Sequence, residues 1–223
     1  MASDTRQRLI DGALETIRRD GIAGTSARTI AATAGVNQAL IFYHFGSVGT
    51  LLAEACRRAT EERIDHYRDQ LAGVASFDEL LDLGRRLHAE ERELGNVAVL
   101  AQMLAGAQRD ESLAPAVAGA LRLWIAEIER VLTRLLADSP FAGVIDLPGL
   151  ATAISAAFVG IELYDGVDAA ASGNALEALR RLAVLIEIAD ELGPVATRLL
   201  RRRLAARDRR RSETAPYRKK SPR

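Results

Sequence analysis

The chain has 223 residues with 30 basic and 30 acidic side chains, so its formal net charge is zero; 48% of its residues are hydrophobic and 27% are charged. This length can bury a sizeable core, and the mixture is typical of a helix-rich globular protein. The single cysteine, Cys56, excludes an internal disulfide and a thiolate metal cluster. The opening residues lack the apolar core of a signal peptide, and the longest apolar run, about residues 150–161, is too short to span a bilayer. We therefore expect a cytoplasmic protein with no membrane partner.

Four helices are predicted in the first third of the chain, with bounds near 4–20, 26–34, 37–44 and 47–71. Asp4 and Gln7 are expected to form a capping box at the start of the first helix. Gly21 and Gly35 are expected to end the first two helices. The predicted N-caps of the other three are Thr25 or Ser26, Asn37 and Ser47.

Longer helices are predicted in the rest of the chain, near 77–94, 96–109, 112–137, 147–167 and 174–192, with a last segment from Gly193. No stretch has the alternating pattern of a strand, so the expected fold class is all-α. The change from short to long helices predicts a helix-turn-helix domain at 4–64, with the motif itself at about 27–46, and a larger helical domain at 65–207.

The charge is distributed unevenly along the chain. Residues 198–223 contain 12 Arg or Lys residues and two acidic ones, a net charge of +10. The neutral total therefore does not exclude a polyanionic partner, because the position of the charge decides this. The end of this segment, 208–223, is expected to be a disordered basic tail.

The stretch GVNQALIFYHFGS, residues 35–47, concentrates three of the nine Phe and Tyr residues and one of the three histidines. A glycine between two short helices allows the positive φ of a tight turn and predicts a helix-turn-helix. On the second helix, Ile41 and Phe45 are expected to face inward, and Phe42 is also expected to pack. The residues expected to point outward are Gln38, Ala39, Leu40, Tyr43 and His44.

Such an outward face suits a helix that enters the major groove of DNA. Gln38 can read the edge of adenine, Ala39 and Leu40 can touch thymine methyl groups, and Arg28 can pair with guanine. Free amides near Ser26, Asn37 and Ser47 can bind phosphates. The alternative is a plain three-helix core whose aromatic side chains only pack. His44 as a metal ligand is disfavoured, because His66 and His88 share no ligand-like spacing with it.

Residues 5–52 resemble the tetracycline-repressor (TetR) family of bacterial transcription regulators, through a Gly-rich break, a Thr-initiated second helix, IAATAGV, and a third helix ending in YHF. The resemblance implies DNA contact for Arg28, Gln38, Ala39, Tyr43 and His44. With the helix caps, the candidate DNA-binding residues are Thr25, Ser26, Arg28, Asn37, Gln38, Ala39, Leu40, Tyr43, His44 and Ser47.

Three positions depart from the family pattern. Val48 stands where the family often has Lys, Phe42 where it often has Tyr, and Leu40 where it often has a small hydroxyl residue. These departures should weaken anchoring to the phosphate backbone, because phosphate contacts supply much of the affinity. The basic tail could compensate, or it could be only a solvated end.

The resemblance also implies a homodimer formed by the last two long helices, and with it a palindromic DNA operator. The small and apolar side chains of these helices allow close packing. The candidate interface residues are Ala156, Tyr164, Leu179, Ala183 and Ile186.

A cavity for a small-molecule effector, expected to be largely apolar, is predicted among the middle helices. Its candidate lining residues are His88, Gln102, Met103, Trp124, Ile128, Phe158 and Glu162. Met103, Trp124 and Phe158 could equally be plain core, and His88 a satisfied core histidine. Glu162 interrupts an apolar helix and could pair at the dimer interface or reach into the cavity.

The sequence therefore predicts a DNA-binding transcriptional regulator, a repressor by family habit, that an effector releases from its operator. No enzyme motif is present, and no cofactor or metal is expected. The competing interpretation is a helical carrier or scaffold protein that binds small molecules without touching DNA.

Overall fold

The computed structural model describes residues 2–111, 113–139, 141, 145–190, 199 and 202–203. Helix is the only regular structure among these residues. Nine α-helices run in chain order: α1 Ala2–Asp20, α2 Ala27–Ala34, α3 Ala39–Phe45, α4 Val48–Gly73, α5 Phe77–Glu93, α6 Asn96–Ala107, α7 Ala114–Leu135, α8 Leu147–Asp165 and α9 Ala169–Asp190. A short 3-10 turn, Ile22–Gly24, joins α1 to α2. The all-α prediction is confirmed, and the predicted tail 208–223 lies outside the described residues.

Two details of the predicted helix ends are wrong. α1 begins before Asp4, and Gln7 Nε2 donates to Asp11 Oδ1 at 2.9 Å, so no capping box forms there. α9 begins at Ala169 rather than near 174, because the Asp168 carboxylate accepts the Ala171 amide at 3.0 Å and starts the helix early.

The described helices enclose two apolar cores. The first, here called the head core, is built by α1, α2, α3 and the first turns of α4, together with residues of α6 and the start of α7; Leu9, Ile30 and Ile41 are completely buried in it. The second, here called the body core, lies among α4, α5, α7, α8 and α9 and includes Tyr67, Leu83 and Leu132. The boundary between the two predicted domains stays a prediction.

Helix α4 takes part in both cores. Its first turns place Leu51, Leu52 and Ala55 in the head core, and its last turns place Tyr67 and Leu71 in the body core. With 26 residues at 1.5 Å each, it is about 39 Å long. Helix α4 therefore connects the body core to the head core.

Helix α8 is apolar over a longer stretch than the run of about residues 150–161 that the sequence analysis identified. Over Leu147–Asp165 its mean hydropathy is 1.4 and 11% of it is buried, so by length and composition it could cross a membrane, contrary to the expectation for this run. The bent pair Ala39–Phe45 and Val48–Gly73 passes the same test if taken as one broken span. A core helix of a soluble protein passes it too, and α8 carries the buried acid Glu162.

Candidate nucleic-acid interface

A left-handed glycine sets the angle between α2 and α3. Gly35 has φ 62° and ψ 40°, and its amide donates to the carbonyl oxygens of Ala31 and Ala32. The guanidinium of Arg8 on α1 donates to the carbonyl oxygens of Ala34 and Gly35, at 2.8 and 2.9 Å. The last carbonyls of α2 are thereby satisfied, which fixes the turn that follows. The predicted role of Gly35 agrees with this geometry.

Close packing holds α2 against α1. A Cβ on Gly12 would lie 2.8 Å from the Cβ of Ala34, closer than two carbon atoms can approach. The hydroxyl of the buried Thr16 donates to the Gly12 carbonyl oxygen at 2.6 Å. The absence of a side chain at Gly12 therefore lets α2 approach α1 and seats the motif.

Helix α3 turns one face to the head core and the other to solvent. Ile41 is fully buried, and Phe45 is 7% exposed with the Arg6 guanidinium 5.0 Å from its ring centre. Tyr43 is 81% exposed, and Gln38 and Ala39 are exposed beside it. These placements agree with the predicted inward and outward faces.

The solvent-exposed face of α3 includes Phe42, contrary to the prediction that this ring packs in the core. Phe42 is 50% exposed, not packed in the core, whereas Leu40 is partly buried against the head core. His44 is also half-buried, with its ring centre 4.9 Å from that of Tyr43. The side chains most open to solvent on this helix are therefore Gln38, Ala39, Phe42 and Tyr43.

Polar caps surround this face. Ser26 forms a capping box with Thr29, and Ser47 Oγ accepts the Thr50 amide at 3.0 Å. The N-cap of α3 is Gln38 rather than the predicted Asn37, whose carboxamide oxygen accepts the Ala39 amide at 2.8 Å in the turn just before the helix. Ser26, Asn37 and Ser47 are all exposed. Thr25 differs, because it is half-buried and its hydroxyl donates back to the Gly21 carbonyl oxygen at 2.8 Å.

Arg28 supplies a cation beside these caps. It is exposed on α2 and has no ion pair among the residues that the structure describes. By contrast, Arg18 and Arg19 on α1 are paired with Glu15 and Asp20. Arg28 is therefore free to pair with a guanine edge or a phosphate.

The helix-turn-helix part of the chain is similar to known proteins. Residues 9–55 match the family model of bacterial regulatory proteins of the tetR family. An uncharacterized helix-turn-helix-type transcriptional regulator of Mycobacterium tuberculosis is 25% identical over 125 residues, which cover 56% of this chain. The match spans 64% of the length of that relative.

Solved structures extend the likeness over most of the fold. A putative TetR-family regulator from a Rhodococcus species has a TM-score of 0.64 at 22% identity, covering 85% of this chain and all of that one. The multidrug binding protein EbrR, crystallised with imidazole, has a TM-score of 0.61 at 29% identity, covering 80% of this chain and 94% of that one. Residues 9–55 of this chain are thus similar to the tetR family, and the whole fold is similar to that of TetR-family regulators. This similarity to regulators agrees with the expectation that the chain is not an enzyme.

Two residues predicted for the effector cavity lie elsewhere. Gln102 is exposed on α6, and its Oε1 accepts the amide of Ile22 at 3.3 Å. Met103 is 2% exposed and belongs to the head core. A Cβ on Gly106, one turn further along, would lie 2.9 Å from Ile22. Helix α6 is therefore a second link between body and head, which the sequence pattern did not reveal.

The other predicted cavity residues lie together in the body. Trp124 and Ile128 pack against the body core, with the Trp124 and Tyr67 ring centres 6.3 Å apart. Phe158 on α8 faces Gly84 on α5, since a Cβ there would lie 3.3 Å from the Phe158 ring. One turn further along both helices, His88 faces Glu162. The His88–Glu162 pair therefore lies one helical turn from the contact between Phe158 and Gly84. The described depression of about 530 Å³, which includes Glu129 and Thr133 in its lining, lies on α7 and includes none of the predicted cavity residues.

Glu162 lies in an unusual electrostatic environment. It is 6% exposed, and its Oε1 is 3.5 Å from His88 Nδ1. Burial raises the pKa of Glu162 to about 7, against the opposing effect of His88. The negative charge of Glu91 contributes to the same rise.

A hydrogen-bond network beside Glu162 was missed by sequence reasoning. Glu91 Oε1 accepts from Arg63 Nε at 2.6 Å and from the Tyr67 hydroxyl at 2.7 Å. Asp165 accepts from Ser172 at 2.8 Å and pairs with Arg92, and these contacts with the His88 hydrogen bond lower the pKa of Asp165. These partners are 7 to 77 residues apart along the chain, so no local sequence motif could reveal the network.

The candidate interface residues differ in their exposure to solvent. Tyr164 and Ala156 are exposed on α8, and Leu179 is half-buried on α9. Ala183 is buried in the body core of its own chain, which disfavours an interface role. Ile186 lies within α9, and its side chain is outside the described part of the structure.

Proposed function

We propose that this chain is a DNA-binding transcriptional regulator that binds a palindromic operator as a homodimer and is released by a small-molecule effector. The observation that carries the proposal is the outward face of α3, where Tyr43 is 81% exposed beside Gln38, Ala39 and Phe42. A large exposed aromatic surface on a short helix is costly in water, and contact with DNA offers it a partner. A DNA target also places the protein in the cytoplasm.

The proposed contacts divide into two kinds. Gln38, Ala39 and Tyr43 lie where they can meet base edges, and Arg28 can pair with guanine. Ser26, Asn37 and Ser47 lie at the exposed helix starts that can meet the phosphate backbone. Leu40, His44 and Thr25 are half-buried, so we expect smaller contributions from them.

A homodimer is supported by the apolar surface that α8 and α9 leave exposed in the single chain. Val167 is 89% exposed, and Tyr164, Leu182 and Ile188 are each more than half exposed. A second copy of the same surface would bury these side chains and place two α3 helices about 34 Å apart, one turn of DNA. The operator is then expected to contain two inverted half-sites.

Release by an effector is supported by the helices that connect body and head. Helices α4 and α7 contribute to both cores, and α6 contacts the Ile22 turn through Gln102 and Gly106. A ligand that favours a body arrangement with the heads misplaced would lower operator affinity only by its difference in affinity for the two states. The name of EbrR, a multidrug binding protein, supports a ligand-binding role for the body.

Selection of bound sequences from random double-stranded DNA tests the proposal. The full chain is expected to enrich one inverted repeat. Arg28→Ala and Tyr43→Ala should reduce the enrichment, whereas Arg68→Ala, on the exposed side of α4, should not. No enrichment by a folded chain that still binds small molecules would favour the carrier interpretation instead.

A further inference from the structure

Helix α3 exposes a phenyl ring that the fold does not bury. Phe42 is 50% exposed and lies outside the head core, whereas Phe45, three residues later, is 7% exposed within it. Leu40, for which the sequence predicted contact with a thymine methyl group, is instead partly buried against the head core. The ring of Phe42 is therefore the large aliphatic or aromatic hydrocarbon that this helix presents outward, beside the hydroxyl-bearing Tyr43.

Phe42 shares one side of α3 with Gln38. The two residues are four positions apart, which places them one above the other on an α-helix. Ala39 and Tyr43 form a second pair at the same spacing, and all four side chains are exposed. Long side chains of a helix lean toward its N-terminus, so we expect the Phe42 ring beside Gln38. This is the end of the helix that the proposed function places in the major groove.

The chemistry of a phenyl ring limits what it can recognise on DNA. The ring has no N–H or O–H group, so it cannot donate a hydrogen bond to a base edge or to a phosphate oxygen. The apolar group that base pairs present in the major groove is the C5-methyl group of thymine, and cytosine lacks it. A Phe42 ring in the groove therefore favours thymine over cytosine.

The described cations of α1 and α2 are mostly engaged within the chain. Arg6 pairs with Glu54 at 3.0 Å, and Arg8 donates to two carbonyl oxygens at the end of α2. Arg28, exposed on α2, has no ion pair in the described part of the chain. Phosphate contacts add affinity for every sequence alike. Where few cations are directed outward from these helices, contacts in the groove must supply a larger share of the binding.

We infer that Phe42 is a specificity-determining residue that contacts the C5-methyl group of one thymine in each half-site of the operator. The inference rests on the proposed function and names a base that this DNA must contain. Four residues of α-helix rise about 6 Å, and successive base pairs are about 3.4 Å apart. The thymine should therefore lie within about two base pairs of the base that Gln38 reads.

Removal of single methyl groups from the selected operator tests the inference on the full chain. Each thymine is replaced in turn by deoxyuridine, which keeps the base pair and lacks the C5-methyl group, and fluorescence anisotropy at fixed salt measures the affinity. At one position per half-site the wild type should lose about fourfold, the effect of one buried methyl group, and about tenfold or more when both half-sites are changed. For Phe42→Ala the same replacement should change the affinity by less than about twofold. A scan in which no position depends on Phe42 overturns the inference.

Two further variants assign the effect to this ring. Leu94→Ala removes a similarly exposed apolar side chain, 48% exposed at the end of α5, and should keep the full loss at this thymine. Tyr43→Ala should bind every operator more weakly and keep the same loss. If Tyr43→Ala abolishes the sensitivity and Phe42→Ala retains it, the contact belongs to Tyr43 and the inference is wrong.

A second DNA change needs no protein variant. With cytosine in place of the contacted thymine, the wild type should bind weakly, and 5-methylcytosine should restore about threefold to fourfold, because it returns the methyl group to a G·C pair. Equal affinity of the wild type for the two cytosine operators contradicts the inference, even if Phe42→Ala does not fold. A folded wild type that selects no inverted repeat refutes the proposed function, whereas selective binding without a Phe42-dependent thymine refutes the methyl contact alone.

Discussion

The head and the body of this chain both bury aliphatic side chains, but they treat charge differently. In the head, the core residues are apolar apart from Thr16, and ion pairs such as Arg6–Glu54 lie partly exposed at its edge. In the body, Glu127 and Glu162 are buried, and His88 and Glu91 lie half-buried around the second of these. An apolar head is suited to holding one fixed geometry, whereas the buried Glu162 makes the stability of the body depend on pH.

The largest expected effect separates the two phenylalanines of α3. Phe45→Ala removes a buried ring from the head core and should lower the free energy of unfolding by about 3 kcal/mol or more. Phe42→Ala removes a half-exposed ring and should cost about 1 kcal/mol or less, while weakening operator binding. Chemical denaturation at fixed protein concentration measures both. Similar losses of stability would show that Phe42 is a core residue after all.

The pH dependence of stability sharpens the contrast between body and head. The folded chain holds the pKa of Glu162 at about 7, above the ordinary 4.5, so it binds more protons than the unfolded chain between these values. The stability contributed by this group is full below about pH 4.5 and is lost as the pH rises through about 7. Between pH 5 and 8, the free energy of unfolding should fall by on the order of 2 kcal/mol more in the wild type than in Glu162→Gln. Parallel curves for the two chains would contradict the buried-charge account of the body.

A smaller effect tests the close packing of the head. Gly12→Ala should destabilise the chain by roughly 1–2 kcal/mol, because its Cβ would lie 2.8 Å from that of Ala34. Gly119→Ala on α7 is the control, since a Cβ there meets only the end of Arg122 at 3.8 Å. The control should gain up to about 1 kcal/mol from helix propensity. Thermal unfolding compares the two, and a stabilised Gly12→Ala chain would mean that α1 and α2 are not tightly packed.

The helices were predictable because their signals are local. Apolar spacing, the N-caps Ser26 and Ser47 and the glycine turn at Gly35 each act within a few residues, and the structure confirms them. The orientation of α3 was less predictable, because seven residues make barely two turns and the aromatic Phe42 and aliphatic Leu40 could exchange sides. Only the packing of α3 on the rest of the head decides which of them is exposed.

The body site was harder to predict because its contacts are distant in sequence. His88 and Glu162 are correctly placed in one region, yet the Arg63–Glu91–Tyr67 network beside them has no sequence signature. Gln102 and Met103 were misplaced because their apolar and amide pattern suits a cavity as well as a contact with the head. Helical periodicity gives the face of a residue, but not which helix will cover it.

The most direct test of the central claim measures operator affinity for a Tyr43→Ala chain. Fluorescence anisotropy with the selected operator at fixed salt should show a loss of about tenfold or more, while Arg68→Ala binds as the wild type. Tyr43 is so exposed that this substitution should leave the unfolding free energy nearly unchanged. Unchanged affinity in both Tyr43→Ala and the double variant Gln38→Ala/Tyr43→Ala would contradict the claim that this face of α3 binds DNA.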